Sequence, residues 1–135
     1  RLCADSPLLD PGLIDQAVAA YRSGGADLVT NVIGRSFGPG QSVEVISVPV
    51  FAQAVPRMAS ANHREHVTGY FYDHRKDFRI KALRGDHDGG DVDFAIDTPG
   101  DLERFRALVA AMDRPHWSYG LAELIDLQRA VAAGA

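Results

Sequence analysis

The chain reads as an α/β layered domain with a mostly parallel sheet. Three features predict this. Short β-prone runs alternate with stretches whose apolar residues recur at helical spacing. Two proline-bearing helix starts, Asp10-Pro11 and Thr98-Pro99, follow closely on apolar runs. Finally, 135 residues with 46% hydrophobic content suffice for one packed core and are few for two.

Residues 1–4 (Arg-Leu-Cys-Ala) read as the end of a strand, and a chain that opens without methionine or signal peptide raises the expectation of a further segment upstream. Asp10 is the N-cap and Pro11 the first position of a helix carrying Leu13, Ile14, Ala17, Val18 and Tyr21, which Gly24 and Gly25 stop. Residues 26–32 then form a strand, residues 34–40 a loop, and Val43, Val45 and Val48, with Ile46 between, a second strand. Residues 51–58 and 64–72 read as helices despite Pro56. Residues 78–83 alternate weakly, as an edge strand does, while Val92, Phe94 and Ile96 alternate cleanly with Asp93, Ala95 and Asp97 and predict another strand. Thr98 with a carboxylate three residues on, Asp101, caps a helix bearing Leu102, Phe105, Val109 and Met112. Beyond Pro115, Leu121, Leu124, Ile125 and Val131 predict a last amphipathic helix.

Composition removes several classes of function. A net charge of −4 and a pI near 5.6 leave no basic excess to neutralise phosphates, so nucleic acid is not an expected partner. The apolar run at 43–50 is broken by Glu44, Ser47 and Pro49, so no bilayer span is expected and no membrane partner. One cysteine, Cys3, excludes an intramolecular disulfide and fits a reducing compartment, which makes the cytoplasm the expected location.

In open parallel sheets ligands bind beyond the carboxyl ends of strands, and polar residues between a strand end and a helix start are the first candidates. Asp5 and Asp97 both occupy such a place, which puts them at the same sheet edge. Paired carboxylates there suit Mg²⁺, a hard cation that takes its remaining oxygens from water and substrate phosphates. The competing reading is that each aspartate only favours a helix N-terminus.

Four ordered segments carry a resemblance: Cys3-Ala4-Asp5-Ser6-Pro7-Leu8-Leu9-Asp10-Pro11, Val43-Glu44-Val45-Ile46-Ser47, Arg64-Glu65-His66-Val67-Thr68 and Ile96-Asp97-Thr98-Pro99-Gly100-Asp101-Leu102-Glu103. Together they resemble the cytidylyltransferases of spore coat polysaccharide biosynthesis, relatives of the CMP-Kdo synthetases. The resemblance implies the carboxyl-terminal part of one domain, spanning residues 1–135, with a three-layer Rossmann-like nucleotide-sugar transferase fold incomplete at its amino-terminal side. It implies transfer of CMP from CTP to an acidic sugar with release of pyrophosphate, in surface polysaccharide biosynthesis. Asp5 and Asp97 would be the catalytic, metal-binding aspartates, and Glu44, Arg64, Glu65 and His66 would bind substrate. Ser42, Gly69 and Gly100 depart from the family's usual aspartate, proline and glutamate. The family's glycine-rich loop with Arg and Lys, which cradles the nucleotide phosphates, has no counterpart; residues 34–40 offer Arg35 and no lysine. CTP binding by this chain alone is therefore not expected, and the alternative is a non-catalytic truncated relative acting as a binding or assembly module. A sheet lacking its first strands would expose an edge, so self-association, as a homodimer, is expected.

Other signals point elsewhere. Asp86, Asp88, Asp91 and Asp93 around Gly89-Gly90 lack the spacing and closing glutamate of an EF-hand and read as a solvated turn. His63, His66, His74 and His87 show no zinc-hydrolase spacing. Ser6 lacks the setting of a hydrolase nucleophile. Trp117 and Tyr119 read as packing beside Pro115.

Overall fold

The computed structural model describes residues 1, 3–34, 36–85 and 92–134. Asp10 caps α1 (Pro11–Arg22) by accepting from Gly12 N–H at 2.7 Å. Gly24 and Gly25, both at positive φ where a Cβ would be strained, turn the chain back into β1 (Leu28–Thr30). There Asn31 holds the long return loop shut, donating to Gln41 O at 2.6 Å and accepting from Val43 N–H at 2.8 Å. β2 (Glu44–Ile46) follows and pairs antiparallel with β1, with Thr30 opposite Glu44 and Leu28 opposite Ile46. β3 (Ile80–Ala82) pairs parallel on the other side of β1.

The sheet is thus small and mixed, in the order β2-β1-β3, and not the mostly parallel sheet that the sequence predicts. The expected strand at 92–96 explains part of the difference. Val92 and Phe94 are buried as expected, Ile96 is half-buried and Ala95 is buried as well, but the N–H groups go to three separate acceptors: Phe94 to Pro39 O, Ile96 to Asp5 O and Ala95 to the Asp93 carboxylate. Among the described residues no strand pairs with it, so the segment lies outside the sheet. Gly40 makes this approach feasible, since a Cβ there would stand 2.5 Å from the Phe94 carbonyl carbon. Likewise Cys3 and Ala4 are not strand; a turn closes from Ser6 N–H to Cys3 O at 3.3 Å.

Period-two geometry sends successive β1 side chains to opposite faces. Val29 joins one cluster with Leu13, Ala17, Leu108, Leu124 and Ile125, contributed by α1, α5 (Pro99–Ala110) and α6 (Leu121–Ala133). Leu28 joins the other with Ala54, Met58, Tyr70 and Phe71, under α2 (Val48–Ala54) and α4 (Gly69–Asp73). The predicted helices at 51–58 and 64–72 are rearranged. Ser47 caps α2 three residues earlier, because Pro49 sits within its first turn, and Val55–Arg57 continues it as a 3-10 turn. The second splits into α3 (Ala61–Glu65) and α4, broken where His66 leaves helical geometry at ψ 73°. Trp117 is 66% exposed and so is not a packing residue, whereas Tyr119 is buried, as expected, beside Asp113.

Candidate functional site

Two places gather the residues that the sequence singles out. The first joins the aspartate segments. Ile96 N–H donates to the Asp5 carbonyl at 2.9 Å, so the chain bearing Asp97 runs directly beside the turn bearing Asp5. Both side chains are exposed. Ser6 donates to Asp5 Oδ1 at 2.9 Å, which steadies one oxygen and leaves the other open. Asp97 does not cap α5; Thr98 does, with Asp101 accepting in return from Thr98 N–H at 2.8 Å. Asp97 is therefore released from the capping role that would otherwise explain it. Among the described residues no group of three or more His, Cys, Asp or Glu side chains is placed to hold a metal ion. Two exposed carboxylates without a third protein ligand do not make a closed protein cage for a metal ion.

The second place is an open cleft of about 310 Å³. Arg1, Cys3, Ser42, Glu44, His66, Thr68 and Tyr72 contribute to its lining. Glu44 organises it. In β2 the alternation that points Val43 and Val45 to the α1 side turns Glu44 to the opposite face, beside Ile46. Its side chain is 8% exposed, and a buried carboxylate needs partners. It has them: Arg1 Nη1 at 3.1 Å and Thr68 Oγ1 at 3.0 Å donate to Oε2, and the Tyr72 hydroxyl donates to Oε1. Arg1 also gives its main-chain nitrogen to the Glu44 carbonyl at 2.9 Å. Burial first, and then the hydrogen bond to Glu44, push the Tyr72 phenol far above the ordinary tyrosine range.

Of the expected substrate-binding residues, Glu44 and His66 line this cleft. Arg64 lies elsewhere, with its guanidinium 3.4 Å from the carbonyls of Met58 and Ala59, and Glu65 is exposed and outside the walls. His63 pairs with Asp73 at 2.8 Å and His74 with the Tyr70 carbonyl at 2.8 Å, so both serve the α3–α4 junction. Arg35, His87 and the acidic run Asp86, Asp88 and Asp91 lie outside the described residues. Sequence reasoning missed Arg1, Thr30, Thr68 and Tyr72. A signal existed for two of them, because Thr68 and Tyr72 stand four residues apart, the spacing of one helical face.

With this geometry in view, one solved structure matters. The chain shares the fold of a cytidylyltransferase. That protein, from Leptospira borgpetersenii serovar Hardjo-bovis (strain JB197), superposes with a TM-score of 0.86 at 21% identity, over 96% of this chain and 54% of its own. This chain therefore spans about half the length of that structure. No protein-family model matches the sequence, and no curated protein does. No helix among the described residues is long and apolar enough to cross a membrane.

Proposed function

We propose that the chain is the carboxyl-terminal part of a cytoplasmic nucleotidyltransferase with a three-layer Rossmann-like fold, transferring CMP from CTP to an acidic sugar in surface polysaccharide biosynthesis. The observation that carries this reading is the hydrogen bond from Ile96 to Asp5, which sets two exposed carboxylates on adjoining segments. The shared cytidylyltransferase fold supports it.

In this reaction the sugar hydroxyl oxygen bonds to the α-phosphorus, the bridge to the β-phosphate breaks, and pyrophosphate leaves while the hydroxyl proton is released. Such chemistry asks chiefly for positioning and charge neutralisation. Asp5 and Asp97 would hold Mg²⁺, which supplies positive charge to the triphosphate. Ser6 keeps the Asp5 carboxylate in place, and His66 and Arg1 supply donors toward an anionic sugar in the cleft. The triphosphate cradle belongs to the half of the enzyme that this chain does not span.

Manganese, standing in for magnesium, tests the reading. With the nucleotide-binding half attached and CTP present, Mn²⁺ should broaden the amide NMR signals of Asp5, Ile96 and Asp97 before others. Asp97→Asn should remove the effect and lower pyrophosphate release at least about 100-fold. Undiminished turnover in Asp97→Asn would reject the metal assignment.

A further inference from the structure

The cleft's hydroxyl groups have a fixed polarity, and Glu44 sets it. An ionised carboxylate accepts hydrogen bonds and cannot donate them. Glu44 therefore accepts hydrogen bonds from the hydroxyls of Thr68 and Tyr72. Since the Tyr72 proton is committed there, its 2.9 Å contact with Thr30 must run from the Thr30 hydroxyl to the phenol oxygen. Thr30 Oγ1 in turn accepts from Val32 N–H at 3.0 Å. The chain of donors ends with Thr68 holding only lone pairs for anything that enters the cleft.

The backbone at Thr68 leaves its hydroxyl free for the bond to Glu44, since its φ of −79° and ψ of −18° are helical where the capping residues of α2, α3 and α5 are extended. Thr68 occupies the N-cap of α4, yet its side chain makes no capping bond. Ser47, Ser60 and Thr98, in the same position on α2, α3 and α5, all cap their helices. A capping hydroxyl is typically worth about 1 kcal/mol to a helix. Here the hydroxyl is turned to Glu44 instead. The carboxylate itself has little left to offer a ligand: of its roughly four lone-pair sites, three are filled by Arg1, Thr68 and Tyr72.

We propose that Glu44 is a specificity-determining positioning residue and not a substrate contact. It makes Thr68 an acceptor toward the cleft and spends one guanidinium donor of Arg1 while leaving the others available, so the cleft favours a ligand that presents a hydroxyl donor at Thr68 beside an anionic group. This deepens the reading of the cleft as the sugar side of the enzyme and rests on it for the ligand alone.

Two measurements on the purified chain test it. The Tyr72 hydroxyl proton, identified by its loss in Tyr72→Phe, should resonate downfield as a charge-assisted donor and shift upfield in Glu44→Gln, where the acceptor is neutral. An unchanged resonance overturns the proposal. The second compares D-glucuronate with cyclohexanecarboxylate, which keeps the carboxylate and lacks the hydroxyls. The wild type should prefer glucuronate by about tenfold, the value of one hydrogen bond, and both Glu44→Gln and Thr68→Val should bring the two probes within about threefold. Thr68→Val carries this comparison if Glu44→Gln does not fold. Equal binding by the wild type, absence of glucuronate binding, or a preference surviving in Thr68→Val overturns the proposal. Failure of the nucleotidyltransferase reading appears separately, in the manganese experiment at Asp5 and Asp97.

Discussion

On one face of the sheet, α1, α5 and α6 run 12, 12 and 13 residues and pack through Leu13, Ala17, Leu108, Leu124 and Ile125. On the other, α2, α3 and α4 run only 7, 5 and 5 residues, and the cluster beneath them is Leu28, Ala54, Met58, Tyr70 and Phe71. Isolated helices that short are unstable in water, so the second set exists only because the rest of the fold holds it. The long helices carry longer apolar stripes; the short ones, although Ser47 and Ser60 cap α2 and α3, are placed by contacts with the sheet. It is the second, dependent face that builds the cleft. A loop of chain positioned from outside can turn its side chains to purposes other than its own stability, and the uncapped Thr68 is an example.

The largest test of this contrast is Phe71→Ala. Phe71 is fully buried, with ring centroids 4.7 Å from Phe78 and 6.5 Å from Phe51, and it ties α4 to both the sheet and α2. Its truncation should cost about 3–5 kcal/mol by chemical denaturation, and should disturb the amide signals of Thr68 and Tyr72 well before those of α5 and α6. A loss below about 1 kcal/mol, or one spread evenly over both faces, would break the comparison.

A smaller effect is expected on the long-helix face from Asp10→Ala. Asp10 accepts from Gly12 N–H through one oxygen and from Leu121 N–H at 2.8 Å through the other, so a single carboxylate caps α1 and also meets the first residue of α6. Gly120, before α6, has no side chain with which to cap it. Removing both bonds should cost about 1–2 kcal/mol. Asp10→Asn should fall between, because the amide has one acceptor oxygen where two are needed. Identical stability of the Asn and Ala variants would show that only one of the two bonds matters.

Legibility follows the same division. The start of α1 at Asp10-Pro11 and the capping box of Thr98 and Asp101 are local signals, complete within a few residues, and the structure places both helices where the sequence predicts them. The cleft was legible only in its members: Glu44 and His66 stood in recognisable segments, but the bonds from Thr68 and Tyr72 to Glu44 span 24 and 28 residues and need the register of β1 against β2. A glutamate inside a valine-rich run announced that it would need partners. It did not say which. The segment at 92–96 failed for a different reason, since alternation reports which side chains are buried and not whether a neighbouring strand accepts the N–H groups.

The smallest expected effect is acid destabilisation at the sheet that both faces share. Asp27 lies just before β1; its carboxylate takes Arg79 Nη2 at 2.8 Å and Arg79 N–H at 2.8 Å, while Asp27 N–H donates to the Arg79 carbonyl at 2.8 Å. The Arg79 guanidinium first, and the Arg79 N–H second, hold the Asp27 carboxyl below its ordinary value of 3.8. On α5, Asp101 is lowered too, chiefly by the Thr98 hydroxyl. A carboxyl depressed in the folded state stabilises the fold above its unfolded pKa, and that contribution disappears as pH falls through the lower folded value. Stability should therefore fall as the solution is acidified below pH ~4, and Asp27→Asn should flatten part of that slope. Because Arg79 is largely exposed, high salt should weaken the Asp27 part further. Asp27→Asn should alter the Ile80 and Leu28 amides about equally, on the two strands that it bridges, with the α5 and α6 signals unmoved. A slope unchanged in Asp27→Asn would mean that the β1–β3 pairing, and not the ion pair, fixes the sheet on which both faces are built.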